Sequence, residues 1–205
     1  MRHFPGELEP VLILDRTSGR SGARVIESMD TMADFEPAVT ITLANEGGFF
    51  HNQVTGEIVN HGITLKFVQS SGYKPDADED FIRNLSTDEA SAIYKTYFWD
   101  RHNIGSINGQ DLANKVFDLT VNMGPGSANH PGALTLLQSA VNSCGGQCSV
   151  DGLIGPLSIA QINARDPATL LAEYKSQAAD RYRQIAAGNA ELTGDLSGWL
   201  ARLNA

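Results

Sequence analysis

The chain has 205 residues, of which 41% are hydrophobic, and a formal net charge of -9 at pH 7. This length can bury a core and suits one compact domain, or one domain with a small appended lobe. The negative charge disfavours nonspecific binding to nucleic acid or to an anionic membrane. No stretch approaches the roughly 20 apolar residues that span a bilayer, and the early run Val11 to Leu14 is too short for a signal-peptide core. We therefore expect no nucleic-acid partner, no membrane insertion and no Sec signal.

The first half of the chain predicts a leader, a helix and an irregular excursion. Residues 1–33 carry prolines and glycines among mixed charges without a sustained period, which predicts an irregular leader. From Phe35, apolar residues recur at four-residue steps through Val39 and Leu43, and this spacing predicts a helix that Gly47-Gly48 ends. Residues 49–62 hold glycines among polar residues with weak alternation, which indicates a loop excursion or a short hairpin.

The remaining elements are predicted to be helices, each with its own start or stop signal. They begin near Gly62 or Thr64, at the capping box of Ser86 and Glu89, at Asp111, at Pro131, after Pro156, after Pro167 and near Leu196. The fold class that follows is mainly α, with one β or loop excursion after the first long helix.

Glu46 stands directly before the two glycines that end the first predicted helix. On that helix it would share the face of Val39 and Leu43, so its side chain would lie at the edge of the core. Burial and the negative helix C-terminus both disfavour a charged carboxylate, so we expect a raised pKa and a general acid of the kind that glycosidases use. The alternative is a solvent-facing residue at a frayed helix end.

Five blocks of the sequence occur together in a known family: Glu46-Gly-Gly, Asn60-His-Gly-Ile-Thr64, Tyr94 to Asp100, Phe117 to Gly126 and Asp151 to Pro156. In this order they resemble glycoside hydrolase family 108, the lysozyme-like N-acetylmuramidases of bacteria and phages that include proteins labelled secretion activators. The resemblance covers about residues 36–203. It implies a mainly α, lysozyme-like fold, cleavage of the β-1,4 bond between N-acetylmuramic acid and N-acetylglucosamine, and Glu46 as the catalytic acid. We expect peptidoglycan glycan strands as the partner, no cofactor and no metal.

The loop after Glu46 departs from the pattern of the family. Members usually continue with an Asp and then Gly-Gly-x-Thr, whereas this chain has Val54 to His61 there and lacks both the Asp and the Thr. Glu57, the only carboxylate in this loop, is the candidate for the second catalytic group, either as a base for water or as a charge that stabilises the transition state. An exposed turn residue is the alternative. A separation from Glu46 with room for a water would favour inversion, and one near about 5 Å would favour retention.

Three further residues are candidates for substrate binding. Asn60 is placed to hydrogen-bond an acetamido group, although capping the next helix is an equally good use of it. His61 is placed to contact a sugar or to tune Glu46, and a structural histidine is the alternative. Asn122, at the end of its helix, is a candidate for the substrate groove, whereas we expect Asp118, four residues earlier, to make a structural hydrogen bond.

The chain is thus predicted to have three parts: the leader over residues 1–33, a lysozyme-like catalytic region over 34–126, and a C-terminal helical region over 127–205. The last resembles a predicted peptidoglycan-binding domain and is expected to pack with the catalytic region as one unit. We expect a monomer that is made in the cytoplasm and acts at the cell wall after release or export. A noncatalytic peptidoglycan-binding or secretion-regulating module on a lysozyme scaffold is the alternative function. Cys144 and Cys148 fit either free thiols or a small disulfide loop.

Overall fold

A computed structural model describes residues 32–204 of the chain, so nearly all of the predicted leader lies outside the described residues. The helices are α1 (Phe35–Asn45), α2 (Leu65–Ser70), α3 (Glu79–Arg83), α4 (Thr87–Tyr94), α5 (Gln110–Met123), α6 (Ala133–Ser143), α7 (Pro156–Asn163), α8 (Pro167–Gly188) and α9 (Leu196–Asn204). The strands are β1 (Phe50–His51), β2 (Ile58–Asn60) and β3 (Ile63–Thr64). This confirms the mainly α class with one small β excursion.

Most predicted helices are present because their boundaries are encoded locally. Thr64 caps α2 by accepting from the backbone of Phe67, and Ser86 and Glu89 form the predicted capping box of α4. The short helix α3 was not predicted. In the described part of the chain no helix combines the length and the apolar character needed to cross a bilayer.

The predicted start of α6 at Pro131 is wrong by two residues. Gly132 is the cap and the helix begins at Ala133, whose backbone N–H donates to the carbonyl of Gly124 at 2.8 Å. The next N–H, from Leu134, donates to Pro125 at 2.9 Å. The loop before α6 therefore satisfies the free donors of its first turn, and the helix starts where these bonds become possible.

The sheet is an antiparallel meander of β1, β2 and β3. His61 and Gly62 form the two-residue turn between β2 and β3, with positive φ angles of 50° and 74°. Positive φ at both central positions is the geometry of a type I′ turn, which matches the twist of a hairpin. The longer connection between β1 and β2, residues 52–57, projects away from this turn because it lies at the other end of β2.

Helix α5 lies at the centre of the core. Leu112, Val116, Phe117 and Leu119 are almost fully buried on it. Phe117 also contacts Phe35 of α1 edge-to-face, with ring centroids 5.7 Å apart. Helices α6 and α8 pack on other sides of α5, so the N-terminal and C-terminal regions share one continuous core.

The C-terminal helices return the chain to the end of α1. Tyr174, Ala178 and Tyr182 form the buried face of α8, and Trp199 of α9 stacks on Tyr182 with ring centroids 5.3 Å apart. This packing fixes α9 along the core and carries its last turn toward the C-terminus of α1. Cys144 and Cys148 are free thiols in the turn after α6.

Candidate active site

Glu46 is the C-cap residue of α1 and not a member of the helix. Its backbone is extended, with φ -91° and ψ 146°, and its N–H donates to the carbonyl of Thr42 at 3.1 Å. The prediction that it continues the face of Val39 and Leu43 is therefore wrong, because the chain turns out of the helix at this residue. Gly47 and Gly48 also lack the positive φ of a left-handed cap.

The side chain of Glu46 joins a group of buried charges. Glu46, Lys115, Asp118 and Arg202 form what we call the charge cluster. Arg202 Nη2 lies 2.9 Å from Glu46 Oε1 and 2.8 Å from Asp118 Oδ1, and Arg202 Nε lies 3.0 Å from the same Asp118 oxygen. Lys115 Nζ lies 3.6 Å from Asp118 Oδ2 and donates to the carbonyl of Arg202 at 2.6 Å.

The charge cluster is largely excluded from water and balanced in formal charge. The exposed fraction of the side chain is 1% for Asp118, 6% for Lys115, 13% for Arg202 and 19% for Glu46. Burial acts to lower the pKa of Arg202, but the hydrogen bond and charge of Asp118, followed by those of Glu46, raise it. Burial lowers the pKa of Lys115, and Asp118 opposes this. Asp118 is thus the main partner of both cations, a larger role than the single structural hydrogen bond expected for it.

The second carboxylate oxygen of Glu46 faces the turn between β2 and β3. A Cβ atom built on Gly62 would lie 2.6 Å from Glu46 Oε2 and 2.6 Å from the hydroxyl of Tyr94. Tyr94 donates to the carbonyl of His61 at 2.8 Å, and burial, with the charge of Glu46 adding to it, raises its pKa, so the hydroxyl remains a donor. Gly62 is required twice here, for its φ and for the close approach of Glu46.

Glu57 directly precedes β2, at the opposite end of this strand from the turn that Glu46 faces. It is exposed in the 52–57 connection, where its N–H donates to Thr55 Oγ1 at 3.3 Å and its carbonyl accepts from Asn52 at 2.8 Å. From Glu57 to Asn60 the strand runs about 10 Å, at roughly 3.3 Å per residue, before it reaches the turn beside Glu46. The structure does not bring the two candidate carboxylates together.

The three substrate-binding candidates have different surroundings. Asn60 is buried, and its Nδ2 donates to the carbonyls of Ile82 at 3.0 Å and Leu85 at 3.4 Å, so this amide is engaged within the protein. His61 is half-buried in the turn beside Glu46. Asn122 is exposed and accepts from the hydroxyl of Tyr182 at 2.6 Å. Of the three, only His61 lies in the turn that contacts Glu46, and all three roles stay predictions.

Sequence reasoning missed Arg202, Gly62 and Tyr94 as neighbours of Glu46. Arg202 is 156 positions away in the chain, and no local pattern links the two residues. Among the described residues there is no group of three or more His, Cys, Asp or Glu side chains that could hold a metal ion.

Comparisons with known proteins support the family resemblance. Residues 39–124 match the family model for glycosyl hydrolase 108, and residues 132–204 match that for a predicted peptidoglycan domain. The search of curated proteins gave no match. Among solved structures, that of Brucella abortus SagA is similar to this chain with a TM-score of 0.65 and 21% identity, over 83% of this chain and 89% of that chain. At this identity the likeness shows the fold alone, which is lysozyme-like.

Proposed function

We propose that this chain cleaves the β-1,4 bond between N-acetylmuramic acid and N-acetylglucosamine. The match of residues 39–124 to the family model for glycosyl hydrolase 108 supports this proposal. The predicted peptidoglycan domain over residues 132–204 supports peptidoglycan as the partner. Together the two regions support a lysozyme-like function on peptidoglycan. We further propose that the protein acts at the cell wall as an N-acetylmuramidase.

The observation that carries this proposal is the way Glu46 is held. One of its oxygens accepts from Arg202, and the other lies at the β2–β3 turn. In the proposed mechanism, the oxygen at the turn carries the proton and gives it to the departing sugar oxygen as the bond breaks. Positioning of this kind matters because a misplacement of about 1 Å can cost roughly a hundredfold in rate.

The contact with Arg202 holds one oxygen of Glu46 in place. Arg202 makes two contacts to Asp118 and one to Glu46, so Asp118 fixes the guanidinium that contacts Glu46. A protonated Glu46 keeps its bond from Arg202 because a carbonyl oxygen accepts as a carboxylate oxygen does. We therefore assign to Arg202 the positioning of Glu46, and to Asp118 the positioning of Arg202.

The second catalytic group is either Glu57 or a water held by other groups. The place of Glu57 in the exposed 52–57 connection favours water, because a direct role for Glu57 would require this connection to fold toward Glu46. Any charge from Glu57 would then act at long range and be screened by solvent. His61, in the turn beside Glu46, is the proposed sugar contact.

A noncatalytic peptidoglycan-binding or secretion-regulating module is the second candidate function. The specific observation that favours it is the combination of an ion-paired Glu46 with a remote Glu57. Such a module would keep the fold and the region that matches the predicted peptidoglycan domain, but lack a second carboxylate beside Glu46.

A clearing assay on purified peptidoglycan separates the two candidates. We expect the wild type to clear the suspension and release fragments with N-acetylmuramic acid at their reducing ends, and Glu46→Gln to be slower by about a hundredfold or more. Equal clearing by both proteins would remove the proposed mechanism. Binding of peptidoglycan by the wild type without any clearing would favour the module.

A further inference from the structure

A cavity of about 210 Å³ is lined mostly by residues of the region that matches the predicted peptidoglycan domain. It is formed between α6 and α8 and is closed on one side by the loop before α6. Ser139 of α6, Gln177 and Arg181 of α8, Ser127 of the loop and Val150 contribute to its lining. The cavity therefore offers hydroxyl and amide groups, one cation and some apolar surface.

The loop that forms the rim of this cavity is fixed by its backbone. Ser127 and His130 exchange two backbone hydrogen bonds, of 2.8 and 3.0 Å. Gly126 and Gly132 are in such close contact that a Cβ atom on Gly126 would lie 2.5 Å from the nitrogen of Gly132. The rim is thus formed without a ligand, and little ordering is needed on binding.

Arg181 is the unusual residue of this cavity. Its side chain is half-buried, and its Nε is shielded from solvent without a hydrogen-bond partner. Among the side chains that the structure describes, no ion pair compensates the charge of Arg181, whereas Arg183 on the same helix pairs with Asp180 at 2.7 Å. A buried Nε–H without an acceptor is unfavourable, and a bound anion would supply both the counter-charge and an acceptor atom.

The neighbours of Arg181 indicate which anion fits. Gln177 lies one turn before Arg181 on the same face of α8. The Nε2 of Gln177 donates to Ser143 Oγ and Glu173 Oε1, which leaves its carbonyl oxygen as an acceptor. Amide and hydroxyl groups of this kind bind peptide backbone, and Val150, which is 41% exposed, offers contact to small methyl groups. The lining therefore suits a short peptide that carries a carboxylate.

We propose that this cavity binds a free carboxylate of the peptide stems of peptidoglycan, with Arg181 as the anchor. The stems are short peptides with free carboxylates and alanine methyl groups, whereas the carboxyl of muramic acid is consumed in the amide bond to the stem. A planar guanidinium matches a carboxylate with two parallel hydrogen bonds. The inference rests on the proposed function in that it takes peptidoglycan as the natural ligand, and it assigns stem recognition to the C-terminal region.

Binding of a synthetic stem tripeptide, L-alanyl-γ-D-glutamyl-diaminopimelate, measured by titration calorimetry tests the proposal. We expect Arg181→Gln to weaken binding by roughly ten- to a hundredfold, since a charge-assisted hydrogen bond is lost. Arg183→Gln is the matched control, because it makes the same change in net charge on the same helix at an exposed ion pair. We expect this control to bind as the wild type does.

A second variant leaves the arginine in place and fills the cavity. Ser139→Leu adds volume to the lining, and we expect it to weaken tripeptide binding as Arg181→Gln does. A tripeptide whose carboxylates are converted to carboxamides should bind the wild type as weakly as the intact tripeptide binds Arg181→Gln.

Three results would overturn the proposal: no binding of the tripeptide by the wild type, equal binding by Arg181→Gln, or an equal loss with Arg183→Gln. The clearing assay distinguishes failure of the stem-site proposal from failure of the proposed function. Clearing by a wild type that does not bind the tripeptide would remove the stem site alone. Tripeptide binding without any clearing would remove the hydrolase and keep the stem site.

Discussion

The two sides of Glu46 are built in opposite ways. On one side, Asp118 and Arg202 of the charge cluster are 1% and 13% exposed and are joined by two short contacts. On the other, the 52–57 connection is exposed, and Val54 at its tip is 94% accessible. The candidate acid is thus held by residues distant in sequence, whereas the loop that follows it in sequence contributes little to its position. Substitutions in the charge cluster should therefore change stability or clearing rate strongly, whereas substitutions in the 52–57 connection should change them little.

The largest effect on stability is expected for Asp118→Asn. This change leaves Glu46 as the one anion of the charge cluster, in contact with Arg202. Loss of one partner from a buried ion pair costs about 3–5 kcal/mol. Urea unfolding followed by circular dichroism measures the free energy of unfolding. Asp180→Asn is the control, since its pair with Arg183 is exposed and should contribute little. A similar small loss in the free energy of unfolding for both variants would show that the charge cluster does not stabilise the fold.

Gly62→Ala is expected to be the next most damaging change. The new methyl group would meet Glu46 Oε2 and the hydroxyl of Tyr94 at 2.6 Å, and alanine at positive φ costs about 1–2 kcal/mol. Displacement of Glu46 should slow clearing by roughly a hundredfold.

Gly56→Ala provides the matched control for Gly62→Ala. Gly56 has a φ of 71°, but a Cβ there would meet no atom within 4 Å. The Gly56→Ala variant should therefore lose stability through backbone strain alone and keep the clearing rate of the wild type. Equal clearing by the two variants would contradict the assigned contact between Gly62 and Glu46.

Alkaline pH should loosen the contact between α8 and α9. Burial raises the pKa of Tyr182 from 10.0 to about 12, with the charge of Arg202 opposing and that of Asp118 adding to it. The folded protein keeps this proton where the unfolded chain loses it, so the stabilisation is complete below pH 10 and is lost progressively toward pH 12. Thermal unfolding between pH 9 and 12 should show this fall, and Tyr182→Phe should make it less steep. If the fall of stability between pH 9 and 12 were equally steep in Tyr182→Phe, its assignment to the Tyr182 hydroxyl would be contradicted.

The smallest effect is expected for Glu57→Gln. Its exposed position predicts less than about a twofold change in clearing rate, because an exposed charge at a distance is screened by solvent. Glu36→Gln, at an exposed position in the first turn of α1, controls for the change in net charge. If Glu57→Gln, but not Glu36→Gln, lowered the clearing rate by about a hundredfold, the exposed connection would matter for catalysis and Glu57 would be the second catalytic group.

The parts of the fold that the sequence predicted are those encoded locally. The capping box at Ser86 and the cap at Asp166 each define a helix within a few residues. The glycines and weak alternation of residues 49–62 predicted the excursion in which the sheet forms. Glu46 was found as a candidate because its place before two glycines is a local pattern. Its extended backbone was missed because the glycines were read as the cap and Glu46 as the last helical residue.

The charge cluster was not predictable by the same means. Lys115 and Asp118 lie three residues apart on α5, but nothing in that spacing indicates burial or an arginine from α9. The amide of Asn60 was assigned to sugar or to capping the next helix, yet it bonds carbonyls at the end of α3, a helix that had not been predicted. Both contacts depend on packing between elements, which periodicity does not encode.

The central claim is that Glu46 is the general acid. Its most direct test is whether the rate lost in Glu46→Gln depends on the leaving group of the substrate. A general acid is needed when the departing oxygen belongs to a sugar, but not when it belongs to a dinitrophenol, which departs without a proton. We predict that Glu46→Gln loses about a hundredfold or more in kcat/KM on peptidoglycan glycan and keeps most of its kcat/KM on a dinitrophenyl glycoside of the same disaccharide, since kcat/KM reports the departure of the leaving group. An equal loss on both substrates, or no loss on either, would contradict the assignment of Glu46 as the acid held by Arg202.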